Sequence, residues 1–553
     1  MEDFKRLFIE SLGEEIAAKA FPALFGEENG ITAVRFNSRK CAELQAVLPG
    51  GSTGSTDSTG SAGSAGSTGG TGSAGSSGST ASDFVFSGLS LGERVPWTSG
   101  TYYLAERPNF AQQPLFNAGL YYVQDPSCTY LEPVWRTLYG TSAANSSPQA
   151  PKRVLDLCAA PGGKSTHLAD LMNERGLLVS NEVISSRAAT LAENMAKWGV
   201  ANSVVTNSDP SAFSKLQNLF DLILVDAPCS GEGMFRKNPD AIGEWSLNNV
   251  KLCAQRQRRI LNDIWPALRQ GGYLIYSTCT FNHLENADNV QYIVEELGAE
   301  VVPLAPQEWE LLRSCGVEAV GEGKAASLGY QFLPGLARGE GQFFAILRKR
   351  AAEEAASGRA AATAGRDAVA AGRDATAGRD ASAGRDAAAG RAAAAGRDAA
   401  ARRAAAGACA PEREIRWHKE IKGDLLKLLP EQLVPEIKLL SKHLKIVSSG
   451  RAVATMLASK RGGVALVPHA DLALSLHIGT ILDYLWDNYK FKVERVELPL
   501  EQIQAFLAKE PLLLPDAPTG YLLLTYKGAG VGFVKNLGNR CNSLLPNARR
   551  IKM

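Results

Sequence analysis

The chain has 553 residues, 45% of them hydrophobic, and a net charge of +2. That length exceeds one typical domain, and the composition is that of a globular protein able to bury a core. No apolar run reaches the roughly 20 residues a membrane-spanning helix needs, and the opening MEDFKRLFIESLGEEI lacks the basic-then-apolar order of a secretory leader, so a soluble cytoplasmic protein is expected.

Taken in chain order, residues 1–150 read as a small N-terminal α/β part of RNA-binding type. It is interrupted at 50–82 by a Gly, Ser, Thr and Ala stretch whose composition cannot bury a core. Residues 151–350 alternate strand and helix. RVLDL (153–157) is a short apolar strand, followed by a glycine-containing turn and the helical KSTHLADLMN. Strands are predicted next at 177–183, 203–207, 220–227, 271–278 and 342–349, with helices to Met195 and over 247–269. Such alternation predicts a Rossmann-like, doubly wound parallel sheet, with ligands at the carboxyl ends of its strands. Residues 351–410 repeat a G-R-D-A unit with no apolar face and read as a linker. Residues 411–553 hold 21 basic and 14 acidic residues, against 29 and 36 in residues 1–350. A basic terminal region on an acidic body points to a polyanion partner.

Candidate ligand residues cluster at the strand ends. After the first strand come Cys158, Ala159, Ala160, Pro161, Gly162, Gly163 and Lys164. Two glycines allow close backbone approach, and the following helix offers free N–H groups. Glu182 follows the second strand, Asp209 the third and Asp226 the fourth. An acid about 20 residues beyond such a turn typically binds ribose hydroxyls, although an acid at a strand end equally caps the next helix. The ending Gly163-Lys164-Ser165 imitates a P-loop, but position 158 is cysteine where that motif needs glycine. G-x-G-x-x-G is absent as well. A nucleoside without a phosphate chain fits this pattern.

Two of the nine cysteines stand in unusual company. Asp226-Ala227-Pro228-Cys229 follows the fourth strand, and Ser277-Thr278-Cys279 the fifth. Neighbouring parallel strands lie about 5 Å apart, so both thiols and Asp226 are expected to face one pocket. Cys128, Cys253 and Cys315 read as ordinary buried thiols. No C-x-x-C or short Cys/His cluster occurs, and no metal is expected.

Three of these segments carry a resemblance. Residues 158–164 (CAAPGGK), 226–237 (DAPCSGEGMFRK) and 277–281 (STCTF) resemble, in order, the motifs of the RNA 5-methylcytosine methyltransferases of the Sun/Fmu/RsmF family. GLYYVQDPS (119–127) and RGEGQFFAIL (338–347) extend the similarity. The layout is most similar to the RsmF type, bacterial methyltransferases of 16S ribosomal RNA, and GYLLLTYKGAGVGFVKN (520–536) resembles that type's PUA-like RNA-binding part. The resemblance implies a class I methyltransferase fold, S-adenosyl-L-methionine as cofactor and ribosomal RNA or the small ribosomal subunit as partner. It implies Cys279 as the nucleophile on cytosine C6, Cys229 as the residue of product release and Asp226 as the contact to base N3. The residues by themselves leave open which thiol attacks, since DNA cytosine methyltransferases attack with a Pro-Cys cysteine. A transfer RNA substrate and a non-catalytic assembly factor are the alternatives. Arg236, Lys237, Arg256, Arg258 and Arg259 are expected near RNA phosphates or on a solvated helix face. Asp209 departs from the family in being followed by Pro-Ser-Ala-Phe, and the basic close of the RsmF type appears here as 540–547 (RCNSLLPN).

Overall fold

The computed structural model describes residues 1–25, 31–47, 89–140, 150–238, 240–321, 327–351, 415–459 and 463–552. The insert 50–82 and nearly all of the repeat 351–410 lie outside them.

Near the N-terminus, β1 (Ala33–Phe36), β2 (Leu91–Arg94), β3 (Thr101–Leu104) and β4 (Tyr121–Gln124) form an antiparallel sheet in the order β2-β3-β1-β4. Two amphipathic helices precede it, Glu2–Leu12 and Glu14–Leu24. Their apolar faces bury Phe4, Phe8, Ala17 and Ala20 against Phe235, Phe281 and Leu333 of the central region.

The central sheet is built from the alternating segments. β5 (Arg153–Asp156), β6 (Leu177–Asn181), β7 (Ser203–Thr206), β8 (Phe220–Asp226) and β9 (Leu268–Thr278) are parallel in the order β9-β8-β5-β6-β7. The strand order reverses at β5, so the carboxyl ends of β5, β6 and β8 meet at the switch point. Side-chain alternation divides β8 between two cores. Leu222 and Leu224 pack with Leu168 and Leu191, from helices Gly163–Met172 and Ser185–Trp198. Ile223 and Val225 pack with Ile260 and Val290, from helices Leu247–Ile264 and Ala287–Glu295. Helices on both faces make this a Rossmann-like, doubly wound sheet.

Beyond β9 the sheet continues antiparallel. β10 (Ala299–Val301), β11 (Glu318–Val320), β12 (Gly329–Phe332) and β13 (Gln342–Lys349) follow in sequence. β13 lies on β9 and also pairs β10, and β12 joins β13 to β11. The opposite edge, at β7, is covered by Ile446–Ser449 from the C-terminal region. Pairing satisfies edge groups that would otherwise be open to another chain.

The C-terminal region contains two further four-stranded sheets. Residues 1–350 and 417–553 form one compact unit. Val34, Phe36, Leu115 and Leu120 share a core with Ile503, Phe506, Leu522 and Val531, so the N- and C-terminal regions are buried against each other. Among the described residues, no helix is long and apolar enough to cross a membrane.

Candidate active site

The turn after β5 is held by its neighbours. Gly162 has φ +116°, a conformation L side chains rarely adopt, and an added Cβ would lie 3.3 Å from Leu191 Cδ1. Ala159 N donates to Asn181 O at 2.8 Å. The carbonyls of Ala160 and Pro161 accept from Arg187 at 2.9 Å and Asn194 Nδ2 at 2.8 Å. Helix Gly163–Met172 starts here, so its first N–H groups open onto the turn. Beneath it, Ser165 Oγ donates to Asp156 Oδ2 at 2.7 Å, while Asp156 Oδ1 is buried without a hydrogen-bond partner. Burial raises the Asp156 carboxyl to about 7. Burial likewise pushes the Cys158 thiol up.

Glu182 and Asp209 each commit one oxygen to the turn that follows. Glu182 Oε1 accepts from Ile184 N at 2.9 Å, and its other oxygen lies 3.5 Å from Arg187. Asp209 Oδ1 accepts from Ser211 N at 3.0 Å and caps a short 3-10 helix, while Oδ2 lies 3.7 Å from Arg259. The bond from Ser211 N holds the Asp209 carboxyl below its ordinary range. Asp209 therefore caps its 3-10 helix, Glu182 closes the turn before its helix without capping it, and the second oxygen of each lies in a long ion pair.

The catalytic candidates come from β8 and β9. Asp226 and Ser277 are register partners on these strands. Asp226 Oδ1 accepts from Ser277 Oγ at 2.7 Å and from Gln342 Nε2 at 3.1 Å, and Oδ2 lies 2.9 Å from Lys164 Nζ. Burial lowers the Lys164 pKa, but the attraction and hydrogen bond of Asp226, with Cys128 and Tyr130 adding in the same sense, together outweigh it and the net shift is well upward. Cys229 Sγ and Cys279 Sγ approach to 3.2 Å, both as free thiols. The contact with Cys279, then burial, push the Cys229 thiol well above its ordinary pKa. Gly233 N donates to Cys279 O at 2.8 Å, and a Cβ on Gly233 would sit 2.9 Å from that oxygen, leaving no room for a side chain.

Several site residues lie in segments marked in the sequence but have no role legible there. Ser277 and Gln342 complete the Asp226 shell. Gln342 also accepts from Cys128 Sγ at 3.5 Å. Asp125 Oδ1 accepts from Glu340 N at 3.1 Å, and Ser127 Oγ accepts from Gly341 N at 3.2 Å. The segments 119–127 and 338–347 thus meet and deliver Gln342 to Asp226. Phe4 and Phe8 stack edge-on against Phe235 and Phe281 at 5.3 and 5.8 Å, bracing both cysteine loops from behind. The basic residues expected near RNA divide. The Arg236 side chain is buried and lies 3.6 Å from Glu340 Oε2, a structural ion pair. Arg258 donates to Asn289 Oδ1 and covers the Tyr292 ring. Lys237, Arg256 and Arg259 are exposed.

A glycine turn after the first strand, acids after the next three and paired thiols on adjacent strand ends thus converge at one end of the sheet. Comparison with known proteins relates this arrangement to methyltransferases. Residues 144–348 match the family model described as 16S rRNA methyltransferase RsmB/F, and residues 493–551 match the methyltransferase RsmF PUA domain. Over these two stretches the chain is similar to the RsmB/F methyltransferases and to the RsmF PUA domain. The ribosomal RNA small subunit methyltransferase F of Serratia proteamaculans is 38% identical over 213 residues, 38% of this chain and 43% of that protein. Its counterpart in Salmonella heidelberg is 38% identical over 218 residues, with the same two shares. The matched region thus spans less than half the length of these curated relatives. A solved methyltransferase homolog from Pyrococcus horikoshii is 24% identical, with TM-score 0.46, over 63% of this chain and 95% of that one.

Proposed function

We propose that this protein methylates C5 of cytosine in small-subunit (16S) ribosomal RNA, using S-adenosyl-L-methionine and a covalent bond between Cys279 and cytosine C6. The observation that carries this reading is the 3.2 Å approach of the Cys229 and Cys279 sulfurs beside Asp226. Residues 151–350 act as the catalytic domain in this reading. Residues 1–150 and 411–553 present the RNA, and 351–410 serves as a linker. The protein works in the cytoplasm.

The cofactor fits the residues present. Gly162 and Gly163 open the turn after β5, and the outer oxygens of Glu182 and Asp209 suit ribose hydroxyls and an amino group. When bound, S-adenosyl-L-methionine supplies an electrophilic methyl group on a cationic sulfur. Cytosine C5 is a weak nucleophile until C6 is saturated. The Cys279 thiolate adds to C6, and the electron pair moves toward N3, where Asp226 holds the proton taken up. With the cofactor held there, C5 would take up its methyl group as the methyl–sulfur bond breaks and the electron pair returns to sulfur. The C5 proton leaves to Cys229, the C5–C6 double bond re-forms and the C6–sulfur bond breaks, freeing Cys279. A thiol kept protonated beside Cys279 suits this order of events. Once Cys279 is a neutral thioether, it no longer presents the sulfur charge that raises Cys229, so the Cys229 thiol gives its proton to solvent more readily and takes the C5 proton as a thiolate. The target base must be unstacked to enter, which favours loop or single-stranded cytosines.

The test combines methyl transfer to small-subunit ribosomal RNA with bisulfite sequencing. Cys279→Ala is expected to abolish methylation and retain cofactor binding. Cys229→Ala is expected to leave a covalent RNA–protein adduct on denaturing gels. Methylation by Cys279→Ala at the wild-type rate would overturn the mechanism, and methylation at a site other than cytosine C5 would overturn the reaction.

A further inference from the structure

Glu285 lies six residues beyond Cys279 and is fully buried. Among the described residues, no lysine or arginine hydrogen-bonds its carboxylate, which is satisfied instead by neutral donors. Oε2 accepts from Ser230 N at 3.0 Å and from Gln257 Nε2 at 2.7 Å. Oε1 accepts from Asn282 Nδ2 at 2.9 Å, with a longer contact to Ser230 N at 3.4 Å. The same Gln257 Nε2 also donates to Pro228 O at 3.0 Å. The peptide groups immediately before and after Cys229 are therefore both tied to one Glu285–Gln257 pair. The pair is itself held from below, since Tyr276 Oη donates to Glu285 O at 2.6 Å and to Gln257 Oε1 at 3.1 Å.

An unbonded buried carboxylate is costly, so a fully satisfied one in this position holds its donors in place. Asn282 reaches from Glu285 to Glu232 Oε1 at 2.9 Å, and Glu232 Oε2 accepts from Phe281 N at 2.7 Å. The Cys229 loop is thus referenced to the strand end that carries Cys279.

We infer that Glu285 is a positioning residue for Cys229: through Ser230 N and Gln257 it sets where the Cys229 sulfur lies relative to Cys279. This rests on the reading above, in which Cys279 attacks and Cys229 releases the product. Cys279 itself accepts no hydrogen bond from Glu285, so attack and methyl transfer need Glu285 less than release does. Loss of Glu285 should then reproduce the loss of Cys229 rather than the loss of Cys279.

The experiment uses the full chain, S-adenosyl-L-methionine and a small-subunit ribosomal RNA transcript, with denaturing gels for the adduct and single-turnover methyl transfer measured separately. Glu285→Ala is expected to accumulate adduct and to slow steady-state turnover on the order of tenfold to hundredfold, as misplacing a reacting group does. Its single-turnover methyl transfer should stay near the wild-type rate, and adding Cys279→Ala should remove the adduct. Equal slowing of both steps, without adduct, would mean a merely structural role and overturn the proposal. Glu285→Gln keeps the shape and one acceptor but turns an amide donor toward Gln257 or Asn282. If Glu285→Ala does not fold, adduct accumulation in Glu285→Gln supports the inference and wild-type release by it overturns the inference. Cys229→Ala is run alongside. If it too leaves no adduct, the two-cysteine reading itself fails; if it accumulates adduct while the folded Glu285 variants release normally, only the role of Glu285 fails.

Discussion

The Lys164 ammonium lies 2.9 Å from Asp226 Oδ2, joining the turn after β5 to the turn after β8. One residue of the turn after β5 thereby orients the carboxylate at the end of β8, while Ser277 and Gln342 hold its other oxygen. The Lys164 side chain is mostly buried, whereas Asp226 retains about a third of its exposure, so water screens part of the attraction. Its main consequence is geometric.

Lys164→Met should therefore affect catalysis more than stability. Asp226 keeps two donors but loses its cation, and its carboxylate is free to turn away from the base. A fall in kcat of roughly tenfold to hundredfold is expected for such a displacement. Single-turnover kinetics check this, and an unchanged kcat would assign Lys164 to packing alone.

His477 and Glu174 join the C-terminal region to the central one at 2.8 Å, and both are largely buried. Burial lowers the His477 pKa, but the hydrogen bond and charge of Glu174, with Glu43 adding, together outweigh it and the net shift is upward. Burial raises Glu174, but His477 and then Arg39 bring it below its ordinary value. The histidine contribution is complete below its unfolded pKa of about 6.5 and is lost as pH rises through the higher folded value. The glutamate contribution is present above about 4.5 and is lost as pH falls through the lower folded value. The contact is strongest between these limits. Glu43, 4.0 Å from the ring, adds in the same sense for the histidine, and Arg39 opposes it. His477→Gln should lower the Tm by roughly 2 °C at pH 6, a loss of about 1 kcal/mol, and by less at pH 9. Calorimetry across this range tests it, and an equal loss at both pH values would count against the ion pair.

Arg549, near the end of the chain, is buried between Glu193 and Asp471. Removing one partner of a buried pair leaves charge without compensation. Arg549→Met is expected to cost about 3 kcal/mol, the lower end for such a pair because Glu193 is partly exposed. Urea unfolding measures it. Glu193→Gln should cost less than Arg549→Met, since Asp471 retains its arginine.

Much of the fold and part of the site were legible in the amino-acid sequence. Strand and helix alternation, the glycine turn and the order of the acids are set by short-range periodicity and turn chemistry. Cys229 and Cys279 could be brought together because adjacent parallel strands end side by side. Glu182 and Asp209 were legible as strand-end acids; both accept from the backbone two residues on, and Asp209 also caps a 3-10 helix. The tertiary structure decided the rest. Antiparallel β13 brings Gln342 to Asp226, Glu285 reaches back to the Cys229 loop, and the N-terminal helices brace Phe235 and Phe281. It also buried Arg236 against Glu340, although its basic, motif-bound position read as an RNA contact. These partners lie from 55 to more than 230 residues apart. Which of them meet depends on collective burial of the whole unit, for which local periodicity carries no record.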